Sequence, residues 1–243
     1  MDISNKTVSF YELQWDTDFF GVSSAKAILH VPLSSNEWDK LQIKFNNYEF
    51  ISITNQNSDP VNAQLIGRNT SAFLVDVNIQ FVKNLVGPFE IPTNVTIHQS
   101  LERNKKIIEI ADFKFSKFTE DPELANRRGD QVYTQWLINA FKRPDKFFAV
   151  SRDEHDDVDG FVLYSFLDKA CVIELIATSP NVVNKGIGTR LFKTVEYATY
   201  QQGYYEIKVG TQIRNIGAIN FYHKVGCIQV ACHQVYHLWN YMY

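Results

Sequence analysis

Between an apolar run at residues 171–177 and an amphipathic stretch at residues 186–202 the chain reads Asn184-Lys185-Gly186-Ile187-Gly188-Thr189. Behind the two glycines, Ile187, Leu191, Val195 and Ala198 recur on one helical stripe, and Gly203 is placed to end that helix. The sequence therefore asks for a strand that runs through a glycine-bearing loop into a helix. Glycine lets the backbone approach a ligand closely, and the free N–H groups of the first helical turn point there beside the positive end of the dipole. Such a junction suits a pyrophosphate. It is not a dinucleotide fingerprint, because the third glycine of GxGxxG falls at Leu191, and GxxxxGK[ST] is absent.

The flanks extend the pattern. Runs at 147–151, 160–166 and 171–177 are rich in β-forming residues and joined by short polar links, which predicts an antiparallel meander. After the helix come a strand at 204–211, a short helix at 215–224 that Asn215 is placed to cap, and a strand pair across 226–239. The predicted order is βββ, α, β, α, ββ. Upstream, β-type runs such as 25–31 and 72–79 are separated by turn-forming clusters such as 55–60. A polar, acidic loop is expected at 121–130 and a helix near 131–141, where Val132, Trp136 and Ala140 lie four apart. The change of texture near residue 105 suggests two regions: an N-terminal α/β region, 1–104, and a second, 105–243. The fold class is α+β, of the three-layer α/β kind.

Composition narrows the partners. With 24 Lys+Arg against 27 Asp+Glu the net charge is -3, leaving no basic surplus for nucleic acid. Eighteen Phe, 12 Tyr and 4 Trp supply ample core. Cys171, Cys227 and Cys232 form no CxxC pair and read as core thiols. The N-terminus lacks a signal-peptide pattern and no stretch approaches a membrane span, so a cytoplasmic protein is expected, with no membrane partner. No metal is expected either. The acidic run at 153–159 lacks the spacing of a calcium loop and reads as a hairpin tip, and His233 and His237 fall on strands.

The second motif is Asn215-x-x-Ala218-x-x-Phe221-Tyr222-x-x-x-Gly226. With the glycine loop before it, over about ninety residues, the chain resembles the GNAT superfamily of acyl-CoA N-acyltransferases. The resemblance implies a central mixed, mostly antiparallel sheet flanked by helices, and an acyl-CoA cosubstrate, acetyl-CoA or a longer acyl-CoA. It implies that Ile176, Ala177 and Thr178 meet the pantetheine arm, that Asn184, Lys185, Gly186, Gly188 and Thr189 hold the pyrophosphate, and that Asn215 belongs to the cofactor site. Val183 departs from the family, which has Gln or Arg there; backbone N–H groups carry the contact, so CoA binding should be weakened rather than lost. Lys185 and Arg190 are the cations at hand.

Outside these motifs, Leu13-Gln14-Trp15-Asp16-Thr17-Asp18-Phe19-Phe20-Gly21, Phe115-Ser116-Lys117-Phe118 with Asp121-Pro122, Tyr133-x-x-Trp136, Gly210-Thr211-Gln212 and Tyr236-His237-Leu238-Trp239 are similar to the nucleotide-sugar N-acyltransferases of that superfamily, of the TDP-fucosamine acetyltransferase kind. On this resemblance Trp15, Phe20, Phe118 and Tyr133 line the acceptor site, and residues 1–104 wall a small substrate. The implied reaction is direct acyl transfer in a ternary complex to the amine of a dTDP- or UDP-linked amino-dideoxysugar at carbon 3 or 4. Tyr222 is the implied general acid toward the leaving thiolate. Glu174, on the preceding strand, is the candidate base, acting directly or through water. Two alternatives stand beside this: acylation of a protein or peptide amine, and a silent CoA-binding sensor. An exposed sheet edge would allow two copies to pair as a homodimer.

Overall fold

The computed structural model describes residues 3–4, 7–180 and 186–240. In chain order its elements are β1 (Ile3–Ser4), β2 (Val8–Glu12), α1 (Gln14–Phe20), β3 (Ser24–Leu29), α2 (Ser35–Phe45), β4 (Phe50–Asn55), α3 (Pro60–Asn69), β5 (Phe73–Asn84), β6 (Val95–Gln99), α4 (Lys105–Ile110), α5 (Lys117–Glu120), α6 (Pro122–Asn126), α7 (Val132–Ala140), β7 (Phe147–Arg152), β8 (Val158–Leu167), β9 (Ala170–Thr178), α8 (Ile187–Gln201), β10 (Glu206–Gln212), α9 (Ile216–Lys224) and β11 (Ile228–Trp239). The strands form one sheet in the order β1-β2-β3-β4-β11-β5-β10-β9-β8-β7-β6. Among the described residues only β3–β4 and β9–β10 pair in parallel. The mixed, mostly antiparallel sheet read from the resemblance is the observed one.

Helices pack on the sheet because each strand alternates its apolar positions. Ala25, Ala27, Leu29, Ile51 and Ile53 share a cluster with Trp38, Leu41 and Phe45 of α2. Leu191, Phe192 and Val195 of α8 pack with Val162, Ile173, Ile207 and Val209. Ile107, Ile110 and Leu137, from α4 and α7, pack with Phe148, Phe161, Leu163 and Leu175.

The meander, α8, β10 and α9 lie where the periodicity puts them. Two expectations need correction. The final strand pair is one strand, β11, which pairs with β4 on one side and β5 on the other and absorbs its irregularities as bulges at Gln229/Ala231 and Val235/Tyr236. The loop at 121–130 holds α6, capped by Asp121 with Pro122 at its first turn, and a short 3-10 turn, Gly129–Gln131. One sheet takes strands from both expected regions. β5 lies between β11 and β10, and β6 pairs with β7, so strands from the first region sit among those from the second.

One local feature shapes the site. β9 and β10 pair only through Cys171–Ile173 against Ile207–Val209, although β9 runs on to Thr178 and β10 to Gln212. In the β8–β9 ladder Leu163 faces Leu175 and Tyr164 faces Ile173, which leaves Glu174 as the extra residue of a bulge. A bulge bends and twists its strand, so from Glu174 onward β9 leaves β10 and the sheet opens into a wedge.

Candidate active site

The wedge exposes one edge of β9 beyond Ile173, a row of N–H and C=O groups that no described strand pairs. Ile176, Ala177 and Thr178 on that edge line a cleft of about 590 Å³, closed by Gly186 to Thr189 on one side and by Gly217, Phe221 and Tyr222 of α9 on the other. Gly186 caps α8 at φ 76°, a left-handed conformation that costs an L side chain roughly 1 kcal/mol or more. Among the described residues no side chain caps α8, which leaves the N–H groups of its first turn to a ligand in the cleft. Gly188 has a different reason. A Cβ there would lie 3.2 Å from Cε2 of Phe221, so this glycine lets α9 lie against the opening turn of α8. Asn184, Lys185 and Val183 lie outside the described residues.

Asn215 accepts the Ala218 N–H at 3.1 Å and so caps α9. Its side chain lines the neighbouring cavity, which shares Ala218 and Tyr222 with the cleft. What the cap does is orient α9, and with it Tyr222. Tyr222 is 3% exposed, with its ring 5.4 Å from those of Phe81 and Phe221. It borders both cavities, and its hydroxyl bonds to no described residue. Burial, with a smaller contribution from Cys227, pushes the phenol above its ordinary range, so it stays protonated.

The second cavity, about 540 Å³, fills the wedge itself. Its floor is Asn78 and Gln80 of β5 with Gly210 to Gln212 of β10; its roof is residues 112–115 and Tyr133 and Trp136 of α7. Glu174 faces it. Oε1 accepts from Lys146 and from Ser165 at 2.6 Å, and Oε2 accepts from Trp136 Nε1 at 3.1 Å. The carboxylate thus ties α7 and Lys146 to the bulge, with a lone pair of Oε2 still open. Tyr133 accepts from Gln212 Nε2 at 3.3 Å, and burial pushes its phenol up. Asn78, Gln80, Asp112 and Lys114 were not singled out from sequence, whereas Gln212 stood in the Gly210-Thr211-Gln212 landmark. The signal for the first two was present: β5 alternates Asp76, Asn78 and Gln80 with Val77, Ile79 and Phe81, a polar face inside a strand with an apolar one.

The aromatic candidates separate. Tyr133 lines the wedge cavity, and Phe118 lies 6.2 Å from it, bordering a smaller pocket. Phe20 is a correction: at 4% exposure it packs with Val22, Phe50, Leu124 and Val132 as core. Trp15 stacks on Phe19 at 4.7 Å, on the outer side of α1, and lines neither cavity. Both follow from α1 turning its apolar side to the sheet. Among the described residues no group of three His, Cys, Asp or Glu is arranged to hold a metal, and no helix is long and apolar enough to cross a membrane.

Residues 106–227 match the model of the Acetyltransferase (GNAT) family. The chain is 26% identical over 229 residues to dTDP-fucosamine acetyltransferase of Escherichia coli O6:H1, covering 90% of this chain and 92% of that protein. It is 24% identical over 135 residues to Spore coat polysaccharide biosynthesis protein SpsD of Bacillus subtilis, 55% of this chain and only 46% of that relative's length. Two solved structures have the same fold. One is a GCN5-related N-acetyltransferase from Sphaerobacter thermophilus, with TM-score 0.63 at 12% identity, covering 95% of this chain and 76% of that one. The other is a functionally unknown conserved protein from Staphylococcus epidermidis, with TM-score 0.64 at 14% identity, covering 98% and 93%. With the parted strands, the glycine-capped α8 and the capped α9 in place, and the family model matching half of the sequence, the chain belongs to the GNAT family of acetyltransferases.

Proposed function

We propose that this acetyltransferase moves the acetyl group of acetyl-CoA to the amine of a nucleotide-linked amino-dideoxysugar, at carbon 3 or 4. The observation that carries the acceptor class is the similarity to dTDP-fucosamine acetyltransferase along 90% of the chain, far more than the family motifs alone span. The wedge cavity supports it, being roofed by Phe113, Tyr133 and Trp136 and floored by amides, a shape for a compact polar ring rather than an extended peptide.

In this mechanism the free edge of β9 at Ile176 to Thr178 bonds the amides of the pantetheine arm as an added strand would, and the first turn of α8 takes the pyrophosphate. A β9 N–H polarises the thioester carbonyl. The amine enters from the wedge, Glu174 Oε2 accepts its proton directly or through water, and the C–N bond forms as the C–S bond breaks. Tyr222, between the two cavities, gives its proton to the departing sulfur. The test is a panel of dTDP- and UDP-amino sugars, with peptide amines as controls, incubated with acetyl-CoA while free thiol is followed. Turnover of a nucleotide amino sugar is expected. Turnover of peptides with none of the sugars overturns the acceptor class.

A further inference from the structure

Lys26, Ser52 and His237 stand side by side across β3, β4 and β11, since the registers pair Lys26 with Ser52 and Ser52 with His237. α1 and α5 lie over this row and bring in Asp16 and Lys117, and with Phe50 and Phe118 they enclose a pocket of about 180 Å³. Its polar groups are incompletely satisfied. Ser52 is 3% exposed and its Oγ has no hydrogen-bond partner among the described residues. His237 is fully buried; Nδ1–H donates to Asp121 at 2.6 Å, which leaves Nε2 as an acceptor with nothing to accept. Neither lysine forms an ion pair with a carboxylate among the described residues, although Lys117 lies over the Phe118 ring. Asp16 acts on both lysines and Asp76 on Lys117 from farther off. Two lysines with no close carboxylate, beside two orphaned buried atoms, are costly unless a ligand completes them.

We propose that this pocket holds a phosphoryl group of the acceptor's diphosphate, with Lys26 and Lys117 as its cationic partners, the Ser52 hydroxyl donating to it, and His237 Nε2 accepting from an adjoining hydroxyl. The inference rests on the nucleotide-linked acceptor proposed above. Lysine ammonium groups are point charges suited to phosphate. Burial and the neighbouring Lys26 push Lys117 down to about 8, a strain that an anion relieves. The location also fits. Phe118 joins this pocket to Tyr133 of the wedge cavity, and His237 on β11 is two strands, roughly 10 Å, from β10. This anion site is separate from the α8 turn that serves CoA.

The experiment is calorimetry with dTDP and with inorganic pyrophosphate, on protein saturated with CoA so that the α8 turn is already filled. The parent, Lys26→Met, Lys117→Met and Ser52→Ala are compared, with thermal melts to check folding. Expected are a tenfold or greater loss of dTDP affinity in each lysine variant, a smaller loss in Ser52→Ala, unchanged CoA affinity, and a melting temperature for Lys117→Met equal to or above the parent's. Unchanged dTDP affinity in the folded lysine variants overturns the subsite and leaves the nucleotide reading standing. Pyrophosphate binding that needs the lysines, with dTDP no tighter than pyrophosphate, supports the subsite and overturns the nucleotide reading. Binding of neither ligand overturns the subsite. Where a lysine variant fails to fold, an unchanged affinity in Ser52→Ala decides against it.

Discussion

Replacing Tyr222 by Phe removes one oxygen from a side chain held by its ring. The ring keeps its contacts with Phe81 and Phe221, and the hydroxyl bonds to no described residue, so folding should change by well under about 1 kcal/mol. The chemical loss is larger. A positioned general acid is worth on the order of 10²- to 10⁴-fold, about 3 to 5 kcal/mol, and all of it belongs to the transition state. The deficit should therefore appear in kcat, with KM for acetyl-CoA nearly constant. Burial raises the Tyr222 phenol above its ordinary range, so the parent should keep its acid through pH 9 and show no alkaline loss of kcat from this group. The assay is thiol release with the true acceptor, backed by single-turnover measurements to ensure that chemistry limits the rate. A kcat within about threefold of the parent, with chemistry limiting, refutes the assignment and makes Tyr222 a packing residue.

Gly186→Ala has room for its methyl but must hold φ 76°, and should cost about 1 kcal/mol in urea denaturation and weaken CoA binding in calorimetry. Gly188→Val meets Phe221 and should displace α9, so CoA affinity should fall about tenfold or more while far-ultraviolet circular dichroism stays native. Glu174→Gln should lower kcat by about tenfold or more in the thiol-release assay with KM for acetyl-CoA unchanged; an unchanged kcat would leave Glu174 as the tie between Lys146 and Trp136. Burial holds His237 at about 4 against 6.5 ordinarily, so the unfolded chain takes up the proton first as pH falls. That contribution to stability is complete above pH 6.5 and drains between about 6.5 and 4, at about 1.4 kcal/mol per unit for one group. Asp121 adds to the loss at lower pH, since the bonds from His237, Trp239 and the backbone outweigh its burial and keep it below its ordinary value. Urea midpoints at pH 7 and pH 5 should show the slope, and His237→Gln should remove most of it.

Local order was legible in the sequence because it depends on near neighbours along the chain. The stripe Ile187, Leu191, Val195 and Ala198, the terminating Gly203 and the capping Asn215 each act within a turn or two, and their elements lie where periodicity puts them. The family motifs are contiguous for the same reason, which is why the cleft beside α8 and α9 was visible beforehand. The acceptor side was not. Asn78 and Gln80 reach Gln212 and Tyr133 only because β5 inserts between β11 and β10, a placement set by pairing between strands more than a hundred residues apart. Phe20 could not be told from a ligand platform until α1 docked, because an aromatic residue looks alike in a core and in a pocket wall. The wedge comes from one unopposed residue, Glu174, which has no signature in composition or spacing. The row of Lys26, Ser52 and His237 comes from three strands whose registers are chosen by the apolar face beneath them. Residue type and local spacing therefore determined the strands, helices and caps, and tertiary pairing alone decided which polar side chains meet.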